Sequence, residues 1–203
     1  VNGLVGSEMC IRDRIYSGGE FEQHLKPFEA AFDVGVASVM PYYSIPYGIT
    51  SEDVGAAYNK EIINELLRER YDFQGIICTD WATITDLKPL GIIFKPASAH
   101  GVEHLNTDQR LKKLFNAGID MIGGESLSNE LSELVNKEEI SLTRIDESVK
   151  RIMKQKFQLG LFDNPYLNID VLKVFNNQEN QSKGIEAQKK SIVLLKNNKK
   201  LLQ

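Results

Sequence analysis

A carboxylate followed directly by an indole, Asp80 and Trp81, is the pair of side chains in this sequence best suited to chemistry. Residues 75–79 run into Asp80, and an apolar run that begins at a glycine is typical of a strand buried on both faces. At the C-terminal end of such a strand, in a parallel sheet or barrel, a carboxylate lies where catalytic groups are found. An aromatic ring beside it can stack on the apolar face of a sugar. Asp80 is therefore a candidate nucleophile for glycoside hydrolysis, and Trp81 a candidate sugar-binding residue.

The segments around this pair alternate between helical and extended patterns, which indicates how it is positioned. Alternation of this kind predicts a parallel sheet with right-handed crossovers. A closed barrel of the (β/α)8 type needs eight strands, so three strands leave two candidates, an open doubly wound sheet and a truncated barrel. The periodicity predicts strands at residues 36–40, 73–80 and 119–124, and helices at 20–33, 51–70, 107–117, 127–136 and 142–159.

Capping residues predict where several of these helices begin and end. Ser51 is a favourable N-cap and is followed by two acidic residues, which predicts that a helix starts there. Asn106 or Thr107 is expected to cap the helix that Gly118 ends. Gly35 is expected to end the first helix in the same way.

The composition excludes several classes of function. The chain has 203 residues, of which 42% are hydrophobic and 26% charged, as in an ordinary globular protein. Its net charge of −4 and the lack of a basic stripe make nucleic acid an unexpected partner. No apolar run approaches the roughly 18 residues that a membrane span needs. Cys10 and Cys78 are far apart and have no paired histidine, so neither a disulfide nor a metal site is expected.

The two ends of the sequence look unlike the middle. Residues 1–14 fit neither periodicity and resemble a translated sequencing adapter, so we expect them to be non-native. The sequence lacks an initial Met and a signal segment, and it stops in what reads as the middle of a structural unit, so both ends are expected to be cut and localisation is unknown. We expect a catalytic barrel portion at 15–163, an Asn- and Gln-rich linker at 164–181, and at 182–203 the start of a second domain, with a strand at 191–195.

Four segments, in order, resemble glycoside hydrolase family 3. Residues 72–81 resemble the family's nucleophile segment, and residues 25–43 resemble the strand before it. Residues 117–121 resemble the strand after it, and residues 187–197 the entry to the family's second domain. The resemblance covers about residues 16–203. It implies the C-terminal portion of a (β/α)8 TIM-like barrel, followed by the start of an α/β sandwich domain.

The resemblance also implies an activity. The family consists of retaining exo-glycosidases that act mostly on β-glucosides and β-xylosides, so the expected substrate is an oligosaccharide or an aryl or alkyl β-glycoside. Asp80 matches the carboxylate that forms the glycosyl-enzyme, and the mechanism pairs such a nucleophile with a second carboxyl group. Trp81, Tyr43 and Met40 match residues that bind the sugar. No cofactor or metal is implied. Family members are often periplasmic or secreted.

The sequence departs from the family pattern around Tyr43 and lacks part of the site. Tyr42 and Ser44 replace the Ser and Asn usual in the family. The upstream Lys-His motif and the residues that hold the sugar have no counterpart in the chain, and in many members the acid/base lies in the second domain. Glu103 and Glu125 lie on loops at the expected barrel mouth, but the resemblance assigns the acid/base to neither. The chain by itself is therefore expected to be inactive.

Two other interpretations remain open at this stage. A carbohydrate-binding pseudoenzyme would keep the fold and Asp80 without turnover. An unrelated barrel lyase or aldolase would use Asp80 as a base. Asp120 falls within a predicted strand and is expected to be structural, and the three histidines are expected to lie at the surface or at helix ends.

Overall fold

The chain is described by a computed structural model over residues 12–16, 20–92, 95–175 and 177–198, without the side chains of Arg14 and Pro89. It divides into two compact units, the first ending at Leu159 and the second beginning at Gly160. Of the segment expected to be non-native, residues 1–11, which include Cys10, lie outside the described residues.

The first unit alternates helices with very short strands. Within the residues that the structure describes, this unit has four strands, each two residues long. In chain order the elements are β1 (Asp13–Arg14), α1 (Phe21–Asp33), β2 (Ser38–Val39), β3 (Ile45–Pro46), a 3₁₀ turn (Ala56–Tyr58), a π-helix (Glu61–Arg70), β4 (Ile76–Ile77), a 3₁₀ turn (Pro89–Gly91), α2 (Thr107–Ala117), α3 (Ser128–Asn136) and α4 (Leu142–Gln158).

Strand β4 has a parallel neighbour on each side. It pairs with β2 in the register Ser38 to Ile76 and Val39 to Ile77. On its other side Cys78 forms a parallel bridge with Met121. The three predicted strands therefore lie side by side in their order along the chain, although each is shorter than the apolar pattern indicated. The strand expected at 119–124 is reduced to this single bridge. Strands β1 and β3 form a separate parallel pair.

The helix predicted from Ser51 to Arg70 is wrong over its first half. The N–H of Ser51 donates to the Glu61 carboxylate at 2.9 Å, and its hydroxyl donates to the same group, so Ser51 does not cap a helix. Gly55 lies against other backbone, because a Cβ there would be 2.8 Å from the Tyr43 carbonyl oxygen. These contacts hold residues 51–55 in a non-helical path, and the regular helical stretch starts only at Glu61.

Helix α2 confirms its predicted ends. Asn106 is the N-cap, and its side chain accepts from the N–H of Gln109 at 2.9 Å while the Gln109 side chain accepts from Asn106 at 3.0 Å. This is a capping box, which satisfies two of the free N–H groups at a helix start. Gly118 ends the helix with φ of +118°, a conformation that glycine adopts without steric cost. The core around this helix consists of fully buried aliphatic side chains, among them Ile63, Ile77, Leu111, Leu114 and Ile119.

The buried carboxylate of Asp120 connects three elements, the π-helix, β4 and α4. Arg68 of the π-helix and Arg151 of α4 both form ion pairs with it. Ser148 of α4 donates to it at 2.9 Å, and the N–H of Ile77 in β4 donates at 3.0 Å. A buried charge persists where it is paired and hydrogen-bonded in this way. These contacts support the expectation that Asp120 is structural.

The second unit is helical where it is described. After a 3₁₀ turn (Ile169–Val171) it contains α5 (Leu172–Phe175) and α6 (Gln178–Ser191), so part of the expected linker 164–181 is helical. The strand expected at residues 191–195 is wrong: Ser191 ends α6, and residues 192–195 are neither helix nor strand. A strand requires a hydrogen-bonded neighbour, and residues 192–195 pair with no strand in the described part of the chain. None of the helices in the described ranges of either unit has the length and apolar character of a membrane span.

Candidate active site

Asp80 lies directly beyond the C-terminal end of β4, where the sheet hydrogen bonds finish. The preceding residue, Thr79, is buried, and its N–H donates to the Met121 carbonyl at 3.0 Å. The Thr79 hydroxyl oxygen accepts from the N–H of Gly123 at 2.9 Å. One carboxylate oxygen of Asp80 accepts from the N–H of Trp81 at 2.6 Å. The Asp80 side chain is half-buried. The end of the strand that carries it is held on one side by hydrogen bonds with Met121 and Gly123.

Trp81 presents its ring at the surface next to Asp80. The side chain is 58% exposed, although indole rings are usually well covered. Its ring packs on Gly124, where any Cβ would overlap the ring atoms. Gly124 has φ of +72°, so both its conformation and its lack of a side chain make room for the ring. An exposed indole fixed against backbone is suited to stacking on a ligand.

Tyr43 is brought to the same place from the loop between β2 and β3. Its side chain is buried, and its hydroxyl donates to the Trp81 carbonyl oxygen. The Lys95 ammonium lies 3.9 Å from the centre of its ring, a cation–π contact. Of the two adjacent tyrosines it is Tyr43 that reaches Trp81, whereas the Tyr42 hydroxyl lies 3.2 Å from that of Tyr16.

Met40 follows β2 at the level of Cys78, whose N–H donates to the Val39 carbonyl at 3.0 Å. It is 47% exposed and lines an apolar cavity together with residues of α1, including Phe28. The structure thus brings Tyr43, Asp80 and Trp81 together, whereas Met40 lines the apolar cavity. A sugar-binding role for Met40 stays a prediction.

Burial shifts two ionisable side chains, Cys78 and His100, toward their neutral forms. Burial raises the pKa of the Cys78 thiol, and the nearby Asp80 carboxylate raises it further. Desolvation lowers the pKa of His100, although Glu103 opposes this. Both shifts favour the uncharged form, which is the thiol for Cys78 and the neutral imidazole for His100.

The two carboxylates expected at the barrel mouth, Glu103 and Glu125, have different partners in the structure. The Glu103 carboxylate lies 3.5 Å from the Arg12 guanidinium and 4.0 Å from the His100 ring. Glu125 instead accepts hydrogen bonds from the backbone of residues 83–85, directly after Trp81. The sequence places Glu125 on a loop but gives no indication of these hydrogen bonds. The one relevant feature of the sequence is that Glu125 follows Gly123 and Gly124, directly after the predicted strand that neighbours β4.

Other side chains of the site could not be found from the sequence. Tyr58 donates to the Thr83 carbonyl at 2.7 Å, and Arg110 donates to the Ile84 carbonyl at 2.8 Å. In the described part of the chain, no three His, Cys, Asp or Glu side chains are placed to hold a metal ion.

Comparison with known proteins identifies the family of the chain. Residues 19–155 match the family model for the glycosyl hydrolase family 3 N terminal domain. The chain is 43% identical to beta-glucosidase C of Emericella nidulans over 94% of its own length and 31% of that protein. It is 36% identical to the periplasmic beta-glucosidase/beta-xylosidase of Dickeya chrysanthemi, over 86% of this chain and 29% of that protein.

Solved structures agree with the sequence relatives. A beta-glucosidase from Listeria innocua in complex with glucose superposes with a TM-score of 0.68 at 25% identity, over 94% of this chain and 24% of that one. The chain thus spans less than a third of the length of the curated relatives it matches. A family model that covers most of the chain, together with a relative at 43% identity, determines the family. The chain belongs to glycosyl hydrolase family 3.

Proposed function

We propose that this chain forms part of a retaining exo-β-glycosidase that removes terminal β-D-glucosyl or β-xylosyl residues, with Asp80 as the nucleophile. Trp81 stacks on the sugar, Tyr43 holds the Trp81 backbone beside the nucleophile, and Met40 contributes to the sugar-binding site. The substrate is an oligosaccharide or an aryl or alkyl β-glycoside. Relatives with 43% and 36% identity are named as a beta-glucosidase and a beta-glucosidase/beta-xylosidase.

One observation carries the proposal: Asp80 is a carboxylate at the C-terminal end of a strand that has parallel neighbours on both sides. In α/β folds of this kind, reacting groups lie at the carboxyl ends of the strands. An exposed indole follows immediately and a buried tyrosine supports it. A lyase or aldolase base could occupy the same position, but the family favours glycoside hydrolysis.

The reaction proceeds in two displacements. A carboxylate oxygen of Asp80 attacks the anomeric carbon and forms a carbon–oxygen bond while the glycosidic bond breaks. A general acid, which we assign to no residue of this chain, protonates the departing oxygen. Water then attacks the same carbon, its proton passes to the conjugate base, and Asp80 is released as a carboxylate. Two inversions give net retention, and such sites hold the two carboxyl groups about 5–5.5 Å apart.

The fold supports a domain assignment within the same proposal. We assign residues 15–163 to the C-terminal part of a (β/α)8 TIM-like barrel, residues 164–181 to a linker, and residues 182–203 to the start of an α/β sandwich. The parallel strands alternating with helices up to α4 are consistent with a barrel portion. The second compact unit begins at Gly160, close to the proposed boundary.

Trapping the glycosyl-enzyme tests the proposal. The longest protein that carries this chain is treated with an activated 2-fluoro glucoside, digested and analysed by mass spectrometry. We expect the label on the peptide that contains Asp80. Asp80→Asn should abolish labelling and lower kcat by about 10³-fold or more. Asp72→Asn is a matched control, because Asp72 is an exposed acid of the same segment, and it should change neither.

The opposite results would have distinct meanings. A label on another residue of an active protein would remove Asp80 from the mechanism. Sugar binding without labelling or turnover would favour the carbohydrate-binding pseudoenzyme. For the 203-residue chain alone we expect no turnover of an aryl β-glucoside, because it spans less than a third of the length of its relatives.

A further inference from the structure

In the irregular segment that follows Asp80, the N–H groups of residues 83–85 are bound by a single carboxylate. Three consecutive N–H groups, those of Thr83, Ile84 and Thr85, donate to the Glu125 carboxylate at 3.2, 3.1 and 2.6 Å. The hydroxyl of Thr85 donates to the same group at 2.8 Å. Successive N–H groups that converge in this way form an anion-binding concavity. In this protein the concavity is filled by a side chain that lies 40 to 42 residues further along the sequence.

The carbonyl groups of this segment are also bound. The Asp80 carbonyl accepts from the Thr83 hydroxyl at 2.8 Å, which closes the turn onto the candidate nucleophile. Ala82 is buried with φ of +53°, a conformation that costs a residue with a Cβ about 1–2 kcal/mol. Such strain persists only where surrounding contacts determine the conformation. The other donors to this segment are Tyr43 to the Trp81 carbonyl, Ser98 to Ala82, Tyr58 to Thr83 and Arg110 to Ile84.

Glu125 also connects this segment to the neighbouring chain. Just before it, Gly123 donates to Thr79 at 2.9 Å and Gly124 packs under the Trp81 ring. Residues 123–125 therefore contact the chain immediately before Asp80, the indole immediately after it, and the turn that follows. A shift of this segment would move both Asp80 and Trp81.

The same contacts argue against a role for Glu125 as the general acid. An ionised carboxylate is an acceptor only, and both oxygens of Glu125 already accept from N–H or O–H groups. A general acid must instead present a proton to the departing oxygen. These contacts instead fix the backbone of residues 83–85 to Glu125.

We infer that Glu125 is a positioning residue, which fixes Asp80 and Trp81 in register by binding the N–H groups of residues 83–85. The inference rests on the proposed function for its consequence in catalysis, although the anchoring itself can be tested without turnover.

The anchoring is tested first on the 203-residue chain. Trp81 is the single tryptophan, so its fluorescence reports the site directly. Glu125→Gln places an amide NH₂ against converging N–H donors, since Gln keeps only one acceptor oxygen. We expect acrylamide quenching of Trp81 to increase about twofold or more and amide exchange at residues 83–85 to accelerate about tenfold or more. Glu133→Gln, an exposed acid on α3, should change neither.

The catalytic consequence is tested in the longest protein that carries this chain. Displacement of reacting groups by about 1 Å can cost about 10²-fold in rate, so Glu125→Gln should lower kcat by about 10- to 100-fold with a smaller change in KM. Glu125→Asp, which keeps the charge, should recover part of this loss. If Glu125→Gln fails to fold, Thr85→Val removes one of the contacts and should give smaller changes in the same direction.

The outcomes separate the two proposals. If Glu125→Gln leaves quenching, amide exchange and kcat within twofold of the parent, the anchoring role is wrong, whatever the reaction. If the 2-fluoro glucoside does not label Asp80 in the parent while Glu125→Gln still loosens residues 83–85, the anchor is confirmed and the proposed nucleophile is wrong. Equal losses for Glu125→Asp and Glu125→Gln, with unchanged exchange, would indicate direct participation of Glu125 and would overturn the positioning role.

Discussion

At the scale of single residues, the geometry of the candidate site depends on the residues that contact Asp80 and Trp81. Trp81 rests on Gly124 because no Cβ is present there, and Tyr43 reaches the Trp81 carbonyl from a buried position. Asp80 lies in the chain between the end of β4 and Trp81. The exposed indole and the half-buried carboxylate are thus set by contacts of their neighbours, and substitution of those neighbours should disturb the site without removing its reacting group.

Gly124→Ala should displace the Trp81 ring. A new Cβ would overlap the ring, so we expect a shifted emission maximum and altered quenching of the single tryptophan. Gly48→Ala is a matched control, because Gly48 has φ of +70° against +72° for Gly124 and open space around it. Both variants should lose about 1–2 kcal/mol of unfolding free energy through backbone strain. Unchanged fluorescence for Gly124→Ala would contradict the packing of Trp81 on this glycine.

Asp80→Asn should make Cys78 more reactive. Burial raises the pKa of this thiol first, and the Asp80 charge raises it further, so removal of the charge lowers the pKa and increases the thiolate fraction. The rate of iodoacetamide alkylation at pH 8, measured by mass spectrometry on the Cys78 peptide, should therefore increase. Asp72→Asn serves again as the control. An unchanged rate would mean that the two groups do not interact electrostatically.

At the scale of elements, Asp120 joins the π-helix, α4 and β4 through one buried carboxylate. Three arginines lie around it, Arg68, Arg144 and Arg151. Desolvation lowers the pKa of Arg68 while Asp120 opposes that shift, so the pair shares one buried environment. Because Asp120 also accepts from the N–H of Ile77, its loss would release the strand that carries Asp80.

Asp120→Asn should destabilise the fold strongly. It leaves several buried or partly buried guanidinium groups without their counter-ion, and breaking a buried ion pair from one side costs about 3–5 kcal/mol. Urea unfolding monitored by circular dichroism measures this loss. Asp146→Asn, an exposed acid on the same helix α4, should change the unfolding free energy by less than about 0.5 kcal/mol. A loss below about 1 kcal/mol for Asp120→Asn would contradict the connecting role.

At the scale of the whole molecule, stability should decrease in acid. Hydrogen bonds from Arg70, from Ser51 and from the N–H of Ala97 lower the pKa values of Glu22, Glu61 and Asp86 respectively. A carboxyl group whose pKa is lowered by folding adds stability that is complete above its unfolded pKa, near about 4, and is lost as pH falls through the folded value.

The unfolding free energy should therefore be nearly constant between about pH 5 and 7 with respect to these groups and should fall below about pH 4. Urea titrations at a series of pH values measure the slope. Glu61→Gln should reduce the slope, because it removes one group that takes up a proton on acid unfolding. Glu133→Gln, an exposed acid, should leave it unchanged, and equal slopes in all three proteins would contradict the contribution of Glu61.

Local patterns in the sequence determined a large part of the fold. The apolar run before Asp80 indicated a buried strand with a carboxylate at its end, and the structure has β4 there. A cap at Asn106 or Thr107 and a stop at Gly118 were predicted for α2, and the structure has Asn106 and Gly118 in these positions. These features depend on backbone sterics and on side chains within a few residues of each other, which is why the sequence alone reveals them.

Only the tertiary structure decided which distant groups meet. Ser51 reads as a helix N-cap, yet its contact with Glu61 keeps it outside the helix. Glu125 lies 40 residues beyond Thr85 in the sequence but binds its N–H at 2.6 Å. The physical reason is that propensity acts over a few residues, whereas hydrogen-bond partners of an irregular segment are chosen by packing across the whole fold. The sequence thus determined the position of Asp80 at the end of its strand, and the tertiary structure alone decided what holds it there.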